Sequence, residues 1–456
     1  MGAKWDGDSW NVSIKDLTTG ETTTDTCDIL VNAGGALNNW KWPDIPGLDK
    51  YKGTLLHTAN WDESVDLKGK TVGLIGNGSS GIQVLPAIQP LVEKVTVFMR
   101  SPTWVSAFPG MESRQYTDEE KRRFAEEPGN LLAYRKGIEC SNNNILDILF
   151  PGTPSNNGIR DYMKNVMGEK LGGNKELLER LIPTFPPLCR RITPGTGYLE
   201  ALVEPNVQTV FSGVTEVTES GCKCADGSEY SVPDVLICAT GFDVSYIPRF
   251  PIVAGDKSLQ DIWAQDPDSY LAVAAPEMPN YLMLMGPSTP IANGPVLMGL
   301  EAQSDYIVKM IDHWQTHNIR SFTPDTAAVR DFNEHRDQFL RKTVLADNCR
   351  SWYKRGMANG RVTLWPGSTL HYVETLKQVR FEDWKFECEG NRFTYLGNGR
   401  SQTETNPEAD LAYYIREEDD DLPLARNKLT KVINKSGTVA RADGFATGSF
   451  LAGFGK

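Results

Sequence analysis

Residues Val72-Gly-Leu-Ile-Gly76-Asn77-Gly78-Ser79-Ser80-Gly81 run an apolar strand straight into a glycine-spaced turn and then a helix. Each glycine has its own physical task. Gly76 permits the tight reversal, Gly78 lets the backbone approach a pyrophosphate, and Gly81 lets the helix pack closely on the sheet. Backbone amides at the helix start then face phosphate groups. The flanks agree: Thr71 to Ile75 is apolar and β-rich, and Ile82 to Glu93 carries Ile82, Leu85, Ile88 and Leu91 at near-helical spacing, with Pro86 expected to kink the helix. A second strand, Val95 to Met99, completes a β-α-β unit in about 30 residues. The stretch reads as a dinucleotide-binding turn.

The residues just after the second strand select the nucleotide. NAD is held by an acidic residue there, bonded to the ribose 2′-hydroxyl, whereas this chain has Arg100 and Ser101, a cation and a hydroxyl suited to a 2′-phosphate. NADPH is the expected cofactor.

A length of 456 residues accommodates two or three domains with real cores. The formal charge of −12 argues against nucleic acid as a partner, because no net positive field draws phosphate backbones. The opening residues lack the apolar core of a signal peptide, and no apolar run approaches the roughly 20 residues of a membrane span. A cytoplasmic protein is expected. The eight cysteines are scattered and read as reduced thiols, and the five histidines do not cluster, so no metal is expected.

Two segments of the chain echo each other. Trp10 to Asp28 reads as a β-hairpin, with alternating Val12 and Ile14, and leads into a buried strand, Asp28 to Ala33, ending at Gly34-Gly35. Two hundred residues on, Val214 to Val232 precedes Asp234-Val-Leu-Ile-Cys-Ala-Thr240-Gly241. A hairpin insertion followed by such a strand closes a dinucleotide domain, so two closings imply two domains, yet one glycine opening is present. The first domain is therefore expected to lack its initial β-α-β unit.

Between the first closing and the glycine turn lies Tyr51-Lys-Gly53-Thr-Leu-Leu-His57-Thr-Ala-Asn-Trp61-Asp62. It resembles the F-x-G-x-x-x-H-x-x-x-W-[PD] fingerprint of Baeyer–Villiger monooxygenases at Gly53, His57, Trp61 and Asp62, with Tyr51 where the family usually has Phe. Further stretches fall in the family's order: Gly76 to Gly81, Val97 to Pro102, Cys189-Arg190-Arg191, Thr193 to Tyr198, Ala239 to Asp243, Gly286-Pro287 and Ser351-Trp352-Tyr353. The resemblance covers about residue 25 to residue 400.

The resemblance implies an α/β fold with two dinucleotide-binding domains, FAD and NADPH as cofactors, and molecular oxygen and a small organic carbonyl compound as substrates. It implies that Arg191 is the arginine that stabilises negative charge on the oxygenated flavin, and that Arg190 lies near the NADPH 2′-phosphate. A buried guanidinium suits the first task, since it keeps its proton where lysine loses one. Trp352 corresponds to an aromatic residue beside the nicotinamide, with core packing as the equal alternative. Thr240, Gly241, Gly286 and Pro287 are expected to close on the flavin.

The expected organisation is a remnant flavin domain and linker over 1–68, an NADPH domain over 69–240, the rest of the flavin domain with a substrate cap over 241–400, and an acidic, flexible tail over 401–456. Residues 102–188 read as a helical insertion, with helices at Thr117 to Glu127 and Lys175 to Leu181. The missing unit leaves alternatives open: a non-redox or regulatory NADPH-binding member, or a fragment of a longer monooxygenase. On the count of glycine turns, the isolated chain is expected to hold FAD weakly unless a partner chain supplies the missing unit.

Overall fold

The computed structural model describes residues 1–291 and 294–415, and two further strands, Lys431–Ile433 and Val439–Arg441. The chain divides into a large unit, Met1–Gln315 with Ile319–Glu387, and a small one, Thr316–Asn318 with Cys388–Lys456.

The large unit opens on β1 (Gly2–Trp5), β2 (Trp10–Lys15) and β3 (Thr22–Cys27). The β2–β3 hairpin forms as the alternation predicts, with Trp10 opposite Cys27 and Lys15 opposite Thr22. Trp10 is fully buried, and its indole N–H donates to the Pro279 carbonyl at 2.9 Å. Strand β4 (Leu30–Asn32) is shorter than expected and is not buried, with Val31 exposed. Among the described residues its one strand partner is Tyr281–Met283, so a single neighbour covers it.

The central sheet draws on β5 (Thr54–His57), β6 (Thr71–Ile75) and, after helix α1 (Ser79–Ile88), β7 (Lys94–Phe98). Helix α1 buries Ile82, Leu85 and Ile88 and tolerates Pro86 inside it. It stops at Ile88 and leaves Leu91 exposed: Gln89 caps it with helical backbone, and Pro90 has no N–H to carry the hydrogen-bond ladder further.

The insertion supplies α2 (Asp118–Glu126), α3 (Asn130–Asn143), α4 (Pro154–Lys170) and α5 (Lys175–Leu181). Thr117 and Glu120 form a reciprocal cap at the start of α2, which is why that helix begins where the sequence places it. Neither α2 nor α3 has a buried residue, whereas α4 sinks Ile159, Met163 and Met167 into the core beneath the sheet.

A short helix α6 (Tyr198–Ala201) precedes β8 (Val207–Val210). Strands β9 (Val214–Thr218), β10 (Gly221–Cys224) and β11 (Glu229–Ser231) form an antiparallel meander before the fully buried β12 (Val235–Cys238). The order of the central sheet is β5-β12-β6-β7-β8, parallel throughout. It thus begins at Thr54, before the expected boundary at residue 69, because β5 pairs with β12 from Thr54 opposite Val235 to His57 opposite Cys238.

The chain then returns to the first sheet. Strand β13 (Ile252–Ala254) lies parallel to β1, followed by β14 (Lys257–Ser258), α7 (Leu259–Ile262) and β15 (Tyr281–Met283), the partner of β4. Helix α8 (Val296–Thr316) buries Tyr306 and Met310 and half-buries Ala302 and Trp314, which share a face at helical spacing. Strand β16 (Ile319–Pro324), α9 (Thr326–Leu340), α10 (Thr369–Thr375) and β17 (Trp384–Cys388) complete this part, with β16 and β17 paired.

In the small unit, Asn318 donates from its amide to the Glu389 carbonyl at 2.9 Å, and Ser401 caps a turn of helix at Gln402–Thr405. The acidic run Glu417 to Asp421 lies outside the described residues.

One expectation about the cysteines is overturned. Cys189 and Cys349, 160 residues apart, are joined in a disulfide. Sequence spacing hides such a pair, because only the fold brings the two Cα atoms to 6.2 Å.

Candidate functional site

At the end of β6 the turn is built as its glycines require. Gly76 has φ +110°, and a Cβ on it meets the Ala239 carbonyl oxygen at 2.6 Å. A Cβ on Gly81 lies closer still to the Gly76 carbonyl oxygen, so the first turn of α1 rests directly on the loop. Gly78 differs: nothing stands within 4 Å of a Cβ there, and the loop faces open space. Asn77 is buried and donates from its amide to the Ser101 carbonyl at 2.9 Å, tying the turn to the end of β7. The Ser79 hydroxyl shares a 2.8 Å hydrogen bond with that of Thr193, and Ser80 is half-buried in the first turn of α1.

A basic corner forms beside this turn. Arg190 donates from Nη2 to the Ser101 hydroxyl at 3.0 Å and from Nε to the Arg350 carbonyl at 2.6 Å. Its guanidinium also stands over the Phe185 ring, 5.1 Å from the centroid. Burial first, then the charge of Arg100, pushes its pKa down, although a guanidinium stays protonated at neutral pH. Arg100 is exposed, its side chain running beside Gly213. Two residues read from the chain after β7 thus meet one from ninety positions later.

Arg191 occupies different surroundings. It lines a cavity of about 150 Å³ with Phe108, Asn142, Leu188, Ile291, Trp352 and Tyr353. The expectation of a buried guanidinium is not met: Arg191 is exposed, and its hydrogen bond to protein is a long one, to the Ile291 carbonyl at 3.5 Å. Tyr353, in the same lining, is buried, and its phenol donates to the Leu188 and Cys189 carbonyls. Trp352 is half-buried and in contact with Tyr353, ring centroids 5.3 Å apart. A larger cleft, about 540 Å³, lies against Asp268, Asp337 and Arg361. It holds none of the sequence-predicted residues, and Arg361 is already paired there, 2.6 Å from Asp337 and 2.7 Å from Asp268. The smaller cavity is the better candidate.

The fingerprint residues lie along β5 and its flanks, beside β12. Gly53 sits where a Cβ meets the Asp234 carbonyl at 2.6 Å, and the Tyr51 phenol donates to the Val232 carbonyl at 2.8 Å. His57 is buried, its ring stacked 4.7 Å from Trp40 and met edge-on by Trp42. Its Nδ1 accepts the Ala59 N–H at 3.1 Å, which leaves the proton on Nε2, 3.4 Å from the hydroxyl of exposed Thr240. Burial lowers its pKa, so it is neutral at pH 7. Trp61 is exposed, and Asp62 accepts from the Ser64 N–H and hydroxyl, which hold its carboxyl below the usual range. Within the fingerprint, His57 is the residue that reaches Thr240. His57→Ala is expected to lower the thermal midpoint while a nucleotide titration stays within about threefold, since the ring is lost from a packed aromatic cluster and not from a ligand contact.

Gly286 and Pro287 are buried at a turn that sequence reading places without explaining. Met285 and Ser288 on either side adopt left-handed backbone, φ 60° and 77°. Such backbone persists only where surroundings over-determine it. Here the Gln303 side-chain amide oxygen accepts the Met285 N–H at 3.1 Å, the Ser269 hydroxyl donates to the Pro287 carbonyl at 2.6 Å, and Arg336 donates to the Ser288 hydroxyl at 3.0 Å. Arg336 is wholly buried, with Asp337 at 2.9 Å and Asp268 at 3.4 Å as counter-ions. Neither Gln303 nor Arg336 carries a sequence signal, because each sits in an ordinary helical pattern.

A parallel sheet with a glycine turn at one strand end and a cationic corner at the next is the arrangement of a dinucleotide-binding domain. Residues 6–116 match the family model for flavin-binding monooxygenase-like proteins. The chain is 36% identical to the FAD-binding monooxygenase tazF of Aspergillus terreus, over 91% of this chain and 76% of that one. It is 32% identical to a Baeyer–Villiger monooxygenase of Streptomyces coelicolor, over 79% and 69% of the two chains. Among solved structures, cyclohexanone monooxygenase from Rhodococcus sp. Phi1 bound to NADP+ superposes with a TM-score of 0.70 and 26% identity, over 85% of this chain and 80% of that one. The chain belongs to the flavin-binding monooxygenase family, with relatives of the Baeyer–Villiger type. It spans 61% to 76% of the length of the first curated relatives it matches. Among the described residues, no helix is long and apolar enough to cross a membrane.

Proposed function

We propose that this chain binds NADPH and FAD and carries out Baeyer–Villiger type oxygen insertion next to a carbonyl of a small organic substrate. The observation that carries the reading is the convergence of Arg100, Ser101 and Arg190 beside the glycine turn. Two cations and a hydroxyl match a 2′-phosphate, and the open space over Gly78 fits a pyrophosphate against the first amides of α1.

For FAD the fit lies at two strand ends. Gly34-Gly35 after β4 and Thr240-Gly241 after β12 are accessible, and nothing stands within 4 Å of a Cβ at Gly35 or Gly241. Bound FAD supplies the redox and oxygen-activating chemistry. Arg191 then offers positive charge to an anion forming in its cavity, Trp352 bounds the same space, and His57 holds Thr240 in place. A parallel strand beside the open edge of β4, from this protein or a partner, belongs to this reading, as does a cytoplasmic location.

The test is a titration of NADPH and NADH against the parent and Arg100→Ala. NADPH is expected to bind the parent far more tightly, and the variant to lose about 1.5 to 3 kcal/mol, roughly tenfold to a hundredfold. Equal affinity of the parent for both nucleotides sinks the assignment. With FAD supplied, a ketone panel is then expected to stimulate NADPH consumption and yield products carrying one added oxygen.

A further inference from the structure

Cys189 and Cys349 sit at the roots of the two segments that furnish the site. Cys189 is followed by Arg190 and Arg191, and Cys349 by Arg350, Ser351, Trp352 and Tyr353. Beyond the disulfide, the segments touch through Arg190 Nε to the Arg350 carbonyl and through the Tyr353 phenol to the Cys189 carbonyl, both at 2.6 Å. Both sulfurs are buried, and beside them lies Lys354, itself wholly buried. Its ammonium is 3.5 Å from Cys349 Sγ and 3.9 Å from Cys189 Sγ, held by the Asp347 and Ala358 carbonyls at 2.6 and 3.0 Å.

A positive charge beside a sulfur stabilises the thiolate that leaves when the bond is broken, and so makes the bond easier to reduce. Burial pushes the Lys354 pKa down to about 8, which still leaves most of it charged at neutral pH. We propose that the Cys189–Cys349 pair is a thiol–disulfide modification site that sets how firmly the two arms of the cleft are held, and with them the affinity for NADPH. The nucleotide part of this inference rests on the reading of Arg190 as a contact to the 2′-phosphate.

The exchange balances with a cellular thiol as reductant. A thiolate bonds to Cys189 Sγ, and the electron pair of the broken bond leaves on Cys349 Sγ, the sulfur nearer Lys354. A second thiolate then displaces Cys189, so two electrons and two protons are taken up and the reductant departs as its own disulfide. In the reverse direction a peroxide oxidises the Cys349 thiolate to a sulfenic acid, giving up one oxygen and leaving as water or alcohol. The Cys189 thiol displaces that oxygen as water and the cross-link re-forms. Because both sulfurs are buried, either reaction needs local opening of the short helical turn at Trp352–Lys354.

The experiment uses the full chain with FAD supplied. After alkylation of the unfolded protein without reductant, peptides bearing Cys189 and Cys349 are expected unlabelled and the six other cysteines labelled. Reduction with dithiothreitol is expected to weaken NADPH binding about tenfold and to speed amide hydrogen exchange across residues 347–354. Cys349→Ser is expected to bind NADPH like the reduced parent whatever the redox conditions, whereas Cys140→Ser, at an exposed site, keeps the response. Free alkylation of Cys189 and Cys349 before reduction overturns the proposal, and so does equal NADPH affinity in the oxidised and reduced parent. If neither form binds NADPH, exchange decides: faster exchange on reduction leaves the holding role standing and removes the nucleotide reading, and unchanged exchange overturns both.

Discussion

Arg191→Ala is expected to lower the rate of oxygen insertion by about a hundredfold to a thousandfold while leaving the dissociation constant for NADPH within about threefold. The two arginines separate because they touch different things. Arg190 is committed to Ser101 and the Arg350 carbonyl, on the side of the glycine turn. Arg191 points away into the cavity shared with Trp352, and the Ile291 carbonyl at 3.5 Å takes little of its donor capacity. A cation so placed keeps its donors free for negative charge that develops during reaction, the condition under which such a group acts on rate and not on binding. Arg190→Ala is expected to give the converse, weak NADPH binding with turnover restored at saturating nucleotide. Measuring the rate of substrate-dependent NADPH consumption across nucleotide concentrations separates the two. Parental turnover in Arg191→Ala removes that residue from the chemistry.

Local patterns in the chain foretell the parts of the structure that local physics governs. Thr71 to Ile75 is a strand to the residue, the hairpin from Trp10 forms, and the helix read from Thr117 starts there, on a capping box. In each case a signal of a few residues suffices. Expectation fails where a distant partner decides. Strand β5 belongs to the central sheet because β12, nearly two hundred residues on, lies beside it. The Cys189–Cys349 bond and the Gln303 and Arg336 contacts that hold the Gly286-Pro287 turn are equally non-local. The exposure of Arg191 departs from a chemical expectation: a guanidinium that serves an anion is expected to be shielded, yet this one lines its cavity while exposed. Motif matching names the residues of the fingerprint, and packing alone reveals that His57 braces Thr240.

Gly81→Ala and Gly78→Ala are expected to diverge sharply although they lie three residues apart in one motif. A methyl on Gly81 collides with the Gly76 carbonyl oxygen, a backbone atom that has no rotamer through which to move aside. Helix α1 must then lift from the loop, and Ile82, Leu85 and Ile88 lose their packing beneath the sheet. The cost expected is about 3 kcal/mol of stability, the range of a close contact forced in a core. A methyl on Gly78 meets nothing within 4 Å, and its φ of −77° suits any residue, so stability is expected to stay within about 0.5 kcal/mol. That open space is where a pyrophosphate would approach, and Gly78→Ala is expected to weaken NADPH by tenfold or more, about 1.4 kcal/mol. Denaturant unfolding and nucleotide titration of both variants read the two effects separately. Should Gly78→Ala bind NADPH as the parent does, the phosphates lie elsewhere than over this turn. Packing would then account for Gly76 and Gly81 alone.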